Sequence, residues 1–258
     1  MVSSSPSSPN SRKRRRRKVL RPRSVRGITP YTSEEVYDLL AGAYAAPARP
    51  RHADGTAELI ETILSQHTSD TNAERAFAAL ADRYPTWAAV VDAPTGDLEE
   101  TIRSGGLARQ KAPRIQDVLR SVHVRTGGYD IDFLGSMEPS EAKAWLQELP
   151  GVGPKTAGVV LSFAYGLPVM AVDTHIHRVT RRLALIGPKV SADEAHDVLE
   201  PTIAPEHVLG FHMRLIAHGR QVCHAQRPAC ASCALAPQCP SRPPFERAAE
   251  RKPPGGSR

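Results

Sequence analysis

The stretch LPGVGPKT at residues 149–156 predicts how this part of the chain folds. Gly151 and Gly153 allow backbone conformations and close approaches that a β-carbon would obstruct, and Pro154 suits the first turn of a new helix. The pattern therefore predicts two helices joined by a glycine hairpin. Free N–H groups and the dipole at the start of the second helix can hold one DNA phosphate without reading a base.

An amine and a carboxylate follow this hairpin. Lys155 lies in the first turn of the second helix, where the positive helix end and partial burial favour the neutral amine that a nucleophile needs. Asp173 opens the segment DTHIHR and is predicted to cap the next helix. A carboxylate held there stays ionised and can stabilise positive charge on a sugar or move protons. Lys155 and Asp173 are the candidate catalytic pair; the alternatives are a hairpin that only packs or binds phosphate and a solvated surface lysine.

Helical patterns recur along the chain, and no segment shows sustained alternation of apolar and polar residues. The predicted fold class is therefore all-α. One helix begins at the Thr32–Glu35 capping box and runs to about residue 45. Further helices are predicted at 56–66, 71–83, 86–92, 96–104, 109–125, 139–148, 154–165, 174–186, 191–202 and 206–220. Asp130–Phe133 is the candidate for a short extended piece.

The charge is divided unevenly along the 258 residues. Ten basic residues and no acidic ones fall within the first 26, which leaves 24 basic and 27 acidic residues for the remainder. DNA binding by the folded body must then come from a local patch, while the tail adds salt-sensitive affinity. We expect residues 1–29 to be disordered and 240–258 to be a mobile tail. No apolar run approaches the roughly 20 residues that span a bilayer, so no membrane association is expected.

All four cysteines lie near the end of the chain, at Cys223, Cys230, Cys233 and Cys239. The spacing C-x6-C-x2-C-x5-C can bring four thiolates to one metal centre. Only Cys230 and Cys233 have the spacing of a zinc knuckle, and bacterial ferredoxins use tighter runs. Spacing alone leaves zinc and iron–sulfur open, with disulfides as a third alternative that the polar, arginine-rich start of the chain disfavours.

Two motifs carry a resemblance to a known family. LPGVGPKTAGVV at 149–160, followed by AVDTHIHRV at 171–179, resembles the helix-hairpin-helix DNA glycosylases, specifically the endonuclease III family. The likeness runs from about residue 56 to 239. It implies a bifunctional DNA glycosylase and AP lyase of base excision repair, in which Lys155 attacks the deoxyribose, the damaged base leaves, a Schiff base forms and β-elimination cuts the strand. The aspartate matching Asp173 is the family's catalytic carboxylate.

The resemblance also assigns the cysteines and the architecture. It implies that the four cysteines bind a [4Fe–4S] cluster with a mainly structural role. It further implies two helical domains with a helix-hairpin-helix motif and a C-terminal iron–sulfur cluster loop. A helical barrel would span 56–170, and a cluster domain would combine 30–55 with 171–239. The catalytic cleft would lie between them.

Two loops resemble the segments with which the family extrudes a base. ILSQHTSD at 63–70 is similar to the family's LLSAQATD, which makes Gln66 or His67 the residue that fills the opposite strand. SGGLAR at 104–109 makes Leu107 an apolar wedge, with a hydrophobic contact at a helix end as the alternative. His67 replaces a common glutamine and Ala108 replaces a tyrosine, so the resemblance leaves the lesion preference open.

The remaining expectations concern partners and location. The predicted DNA contacts are Gln66, His67, Leu107, Gly151, Gly153, Arg178 and Arg220. The expected substrate is duplex DNA with oxidised pyrimidines or abasic sites, acted on by a monomer in the cytoplasm, on the nucleoid of a bacterium, or in a nucleus or organelle of a eukaryote. A monofunctional glycosylase for another lesion and a noncatalytic DNA-binding module with a zinc site are the alternatives.

Overall fold

The computed structural model of the protein describes residues 28–45, 52 and 54–242. The predicted basic tail therefore lies outside the described residues, apart from Ile28 and Thr29. The predicted C-terminal tail also lies outside them, apart from residues 240–242. Those three are ordered: Pro240 is buried, and Ser241 Oγ donates to Arg182 O at 2.9 Å.

All the regular elements of the described residues are helices, which confirms the predicted all-α fold. The α-helices are α1 Ser33–Ala41, α2 Gly55–Ser65, α3 Asp70–Arg83, α4 Trp87–Asp92, α5 Thr95–Thr101, α6 Ala108–Thr126, α7 Pro139–Gln147, α8 Pro154–Ala164, α9 Thr174–Arg182, α10 Ala192–Leu199 and α11 Val208–Gln221. Short 3₁₀ turns lie between several of them. None of the described helices is long and apolar enough to cross a membrane.

Most helix starts agree with the predicted ones because local caps set them. Thr32 and Glu35 form the capping box at the start of α1, and Ser69 caps α3. The predicted end of α9 at residue 186 is wrong. Ala184 adopts a left-handed conformation with φ 57°, and Leu185 N donates back to Thr180 O at 2.9 Å, which closes the helix at Arg182.

The predicted extended piece at Asp130–Phe133 is also wrong. Asp132–Ser136 forms a 3₁₀ turn. The side chain of Asp130 accepts from Asp132 N at 2.6 Å, and this local bond turns the backbone away from an extended path. Asp132 in turn accepts from Gly55 N at 3.1 Å, which attaches the turn to the start of α2.

Two hydrophobic cores organise the described residues. The first runs from Leu59 to Val169 and joins α2 to α8; we call this part the first lobe. The second core joins α1 to α9, α10 and α11, and we call this part the second lobe. Helix α2 is buried from Gly55 to Leu64 and packs against α3 and α8, so it forms the axis of the first lobe.

Candidate active site and DNA interface

The hairpin between α7 and α8 has the predicted form. Gly151 adopts φ 74°, and a β-carbon there would lie 2.9 Å from Arg114 Nε, so only glycine fits this turn. Gly153 is the N-cap residue that precedes α8, with φ −92° and ψ 179°, and no side chain caps the helix. A β-carbon at Gly153 would meet nothing within 4 Å. The start of α8 therefore offers free backbone N–H groups beside open space.

Close packing brings the chain just before Asp173 to the helix that carries Lys155. Lys155 and Gly158 lie three residues apart and share one face of α8. A β-carbon at Gly158 would lie 3.0 Å from Met170 O and 3.1 Å from Ala171 Cα. Glycine thus lets the chain that leads to Asp173 approach α8 more closely than any other residue would. This position is a site determinant that sequence reasoning missed.

Asp173 is held by its own helix. It is the N-cap of α9, and its Oδ1 accepts from Ile176 N at 2.7 Å, which confirms the predicted cap. Asp173 and Lys155 are both half-buried. One carboxylate oxygen is therefore fixed by the cap, and the side chain keeps one rigid orientation.

Side chains hold the chain that crosses from the first lobe to the second, residues 167–173. Ser162 Oγ donates to Val169 O at 2.5 Å, and His196 Nδ1 donates to Met170 O at 2.8 Å. Met170 N donates to Glu200 Oε2 at 2.9 Å. These bonds replace the helical or sheet partners that an irregular segment lacks, and they fix the approach to Asp173.

His212 interacts electrostatically with both candidate catalytic groups. The ring is 5% exposed, and its Nδ1 donates to Ala171 O at 2.9 Å. Burial lowers the pKa of His212; the charge of Asp173 opposes that change and the charge of Lys155 adds to it. The ring is therefore within electrostatic reach of both side chains. No sequence signal distinguished His212 from the other histidines.

The structure separates the two candidates for filling the opposite strand. Gln66 is half-buried: its Nε2 donates to Thr156 Oγ1 at 3.3 Å, and its Oε1 accepts from Arg114 Nη1 at 2.9 Å. Gln66 therefore lies next to Thr156, the residue that follows Lys155. His67 is exposed and adopts φ 55°, at the tip of the loop that follows α2.

Leu107 lies on a neighbouring loop. It adopts φ 50° immediately before α6, and its side chain is 46% exposed. That exposure argues against the alternative of a hydrophobic contact buried at a helix end. A β-carbon at Gly106 would lie 4.0 Å from Thr68 Oγ1, so the loops of Leu107 and His67 are adjacent.

The side chain of Arg178, a predicted DNA contact, is hydrogen-bonded to other groups of the protein. Arg178 Nε donates to Cys223 O at 3.0 Å, and its Nη2 donates to Gly219 O at 2.8 Å and to His175 Nδ1 at 3.1 Å. The guanidinium is directed into the second lobe because these acceptors satisfy it there. Arg220 is exposed and forms an ion pair with Asp70 at 3.0 Å, which links α11 to the start of α3.

No disulfide joins the four cysteines, which all lie in the described part of the chain and line one cavity with His218 and Leu235. Burial raises the pKa of Cys233 and Cys239, and the charges of the other cysteines raise it further. Arg182 Nη1 donates to Cys223 Sγ at 3.2 Å. Four sulfur atoms around one partly buried cavity are a donor set for a metal centre, whose positive charge would favour the thiolates.

The cavity that the four cysteines line is a donor set for either metal centre. Zinc takes four thiolates in a tetrahedral site, and iron–sulfur clusters are likewise held by four cysteines.

Comparison with known proteins identifies the family. Residues 60–205 match the HhH-GPD superfamily of base excision DNA repair proteins. The chain is 34% identical to endonuclease III of Thermotoga maritima over 194 residues, which cover 75% of this chain and 86% of that protein. It is 35% identical to endonuclease III of Bacillus subtilis, over 70% of this chain and 78% of that protein.

Solved structures give the same assignment. A non-covalent endonuclease III–DNA complex aligns with a TM-score of 0.72 at 32% identity, over 84% of this chain and 99% of that one. A trapped covalent endonuclease III–DNA intermediate aligns equally well, with a TM-score of 0.72 at 32% identity over 85% of this chain and 99% of that one. The helical fold of the described residues is thus shared with these structures. The chain belongs to the endonuclease III family within the HhH-GPD superfamily of base excision DNA repair proteins.

Proposed function

We propose that this base excision repair glycosylase removes oxidised pyrimidines from duplex DNA and then cuts the strand as an AP lyase. The observation that supports the proposal most is the close packing of Met170 and Ala171 against α8 at Gly158, which brings the chain just before Asp173 to the helix that carries Lys155. The endonuclease III relatives, one of them solved as a trapped covalent DNA intermediate, support the same chemistry.

In the proposed reaction Lys155 is the nucleophile. Its Nζ attacks C1′ of an extruded nucleotide, the C1′–N bond breaks, and the base leaves with the bonding electrons and takes up a proton. Loss of a proton from the amine and opening of the sugar ring give a Schiff base between Lys155 and C1′. Removal of a C2′ proton then expels the 3′ phosphate by β-elimination, and hydrolysis frees the lysine.

Asp173 would supply the ionised group beside the sugar. Because the cap fixes one carboxylate oxygen, the side chain does not have to reorganise as positive charge develops at C1′. Because burial lowers the pKa of His212, its ring would stay neutral at pH values where an ordinary histidine is protonated. It would therefore not add a competing positive charge next to the reacting sugar.

The DNA surface would centre on the start of α8. Uncapped N–H groups and the open space at Gly153 fit a backbone phosphate, which the helix dipole attracts. Exposed Leu107 would enter the base stack and exposed His67 would occupy the space left in the opposite strand. Arg220 would exchange its ion pair with Asp70 for a phosphate. An enzyme of this kind in a bacterium would act on the nucleoid.

The cofactor would be a [4Fe–4S] cluster held by Cys223, Cys230, Cys233 and Cys239. The sequence spacing C-x6-C-x2-C-x5-C, which the resemblance to endonuclease III assigns to such a cluster, supports a cluster over zinc. When bound, the cluster would stabilise the fold of the cysteine segment. Iron and acid-labile sulfide analysis of purified protein, together with its visible absorbance, will distinguish the two metals, and zinc without iron would contradict the cluster.

Borohydride trapping tests the mechanism. Wild-type protein is incubated with duplexes that each contain one thymine glycol, dihydrouracil, uracil or abasic site, with sodium borohydride present. We expect covalent adducts and strand incision with the two oxidised pyrimidines and the abasic site. Lys155→Gln should form no adduct, because only an amine gives a reducible Schiff base.

Lys189→Gln is the matched control, since Lys189 is an exposed lysine in a loop of the second lobe. It should trap and incise as wild type does. Incision by Lys155→Gln would contradict the role of Lys155. Excision without an adduct in the wild type would indicate a monofunctional glycosylase, and binding without excision would indicate a DNA-binding module.

A further inference from the structure

Lys111 is a fully buried lysine with no place in the chemistry proposed above. It lies in the second turn of α6 and is 2% exposed. Burial lowers the pKa of Lys111, and the charge of Arg114 lowers it further. Because burying an amine costs free energy unless it is hydrogen-bonded, the position needs a reason beyond packing.

Its partners supply that reason. Lys111 Nζ donates to Leu64 O at 2.6 Å and to Gly105 O at 2.8 Å. Leu64 O belongs to the last turn of α2, where carbonyls have no partner within the helix. Gly105 O belongs to the 3₁₀ turn that precedes α6. A single amine thus joins two segments that lie more than 40 residues apart in the chain.

Both segments lead directly into loops of the proposed DNA surface. Leu64 lies three residues before His67, and Gly105 lies two residues before Leu107. The backbone of Lys111 adds a third bond, since its N–H donates to Leu107 O at 3.0 Å. Lys111 therefore holds the bases of both loops at one point.

The tips of these loops need such support. His67 and Leu107 have left-handed backbones, with φ values of 55° and 50°, which cost free energy in residues that carry a side chain. Conformations of this kind persist when the surrounding structure fixes them. His67 and Leu107 are exposed, so hydrogen bonds at the base of each loop are a source of this support.

We propose that Lys111 is a positioning residue that couples the loops of His67 and Leu107, so that both enter damaged duplex DNA as one rigid unit. The proposal rests on the proposed function, because it assumes that these loops extrude the base. Lys111 acts through the two carbonyl groups and does not touch the nucleotide.

Two DNA substrates separate loop insertion from chemistry. The first is a duplex with an uncleavable tetrahydrofuran abasic analogue and 2-aminopurine opposite it, whose fluorescence reports unstacking. The second is a single strand with a natural abasic site, which requires the Lys155 amine but no base extrusion. For Lys111→Met we expect two changes with the duplex: its affinity for the protein should fall about tenfold, and the rise in 2-aminopurine fluorescence on binding should fall about tenfold. A loss of this size is the effect of losing one or two hydrogen bonds. Borohydride trapping on the single strand should stay within about twofold of wild type.

Gln116→Leu is the matched control. Gln116 is also buried in α6 and also donates to backbone carbonyls, those of Val90, Val91 and Ala93, but these lie in and just after α4, away from both loops. It should destabilise the protein without a selective loss on the duplex. Equal losses on both substrates, or the same selective loss in Gln116→Leu, would overturn the proposal.

A double-mutant cycle gives an independent measurement. If Lys111 acts through Leu107, then Lys111→Met should have little further effect on duplex affinity in a Leu107→Ala background. Full additivity would contradict coupling. If Lys111→Met does not fold, Lys111→Gln, which keeps an N–H donor on a shorter side chain, takes its place in both experiments. Failure of wild-type protein to trap on the single strand would count against the proposed function itself and not against the coupling.

Discussion

The two lobes are stabilised in different ways. The first lobe is a continuous apolar core around α2, and its buried polar residues Lys111 and Gln116 cap the ends of helices. The second lobe contains irregular chain whose carbonyls are bound by buried histidines and half-buried arginines. It also depends on a cysteine segment, residues 223–239, that contains only short 3₁₀ turns.

This difference suits separate tasks in the proposed reaction. The first lobe carries Lys155 and the loops of His67 and Leu107. The second lobe holds Asp173 through side-chain hydrogen bonds to the chain that crosses between the lobes. In the proposal each lobe supplies one half of the reacting pair, so we expect that changes in one lobe can be distinguished from changes in the other.

The largest effect is expected from Asp173→Asn, which removes the charge supplied by the second lobe. Asparagine is a good N-cap, so α9 should stay capped and the melting temperature should change little. Excision should slow by about 10²- to 10⁴-fold, the usual contribution of such a group. Single-turnover excision of thymine glycol measures the rate. A change below about threefold would mean that the carboxylate acts only as a cap.

Loss of the proposed cluster should unfold part of the second lobe and spare the first. We expect Cys239→Ser to lose hydrogen-exchange protection at residues 222–242, because little apolar burial holds this segment. Amides of α6 should keep their protection, since the first core does not include the cysteine segment. Equal loss of protection in both lobes would show that they fold as one unit. Ser232→Ala, an exposed change within the same segment, is the control.

Gly158→Ala tests the contact between the lobes. The new β-carbon would press against Met170 O and Ala171 Cα, so we expect the free energy of unfolding to fall by about 1–3 kcal/mol and excision to slow. Gly96→Ala is the control: Gly96 lies within α5 with nothing inside 4 Å of the added carbon, and alanine there should stabilise by about 0.5–1 kcal/mol. Urea unfolding measures both. Unchanged stability in Gly158→Ala would show that the crossing segment can move aside.

The smallest effect concerns pH. Burial lowers the pKa of His196 and His212, so both stay neutral in the folded protein at pH values where the unfolded chain is protonated. Below pH 6.5, the ordinary pKa of histidine, the unfolded state therefore binds more protons than the folded state. The free energy of unfolding falls as the pH falls through this range. Each histidine contributes at most about 1.4 kcal/mol per pH unit. His196→Gln should reduce this slope in urea unfolding at several pH values, and an unchanged slope would exclude His196 as a source.

Short-range patterns made much of the site predictable. The hairpin at Gly151, the cap at Asp173 and the capping box at Thr32 depend on residues within four positions of one another, so spacing alone indicates them. The end of α9 was predicted wrongly because the left-handed Ala184 has no strong sequence signal. The hydrogen bonds of Arg178 to Gly219 O and Cys223 O could not be predicted, because these acceptors lie more than 40 residues away; its DNA contact stays a prediction.

The sequence by itself determined the hairpin, the candidate pair Lys155 and Asp173, and a set of four neighbouring cysteines, because spacing, helix caps and residue chemistry are local properties. Only the tertiary structure decided which carbonyl each buried donor binds. It attached Lys111 to two loops, Gln66 to Thr156 and His212 to the chain before Asp173. Any of several carbonyls would satisfy these donors chemically, and the packing of distant segments selects among them.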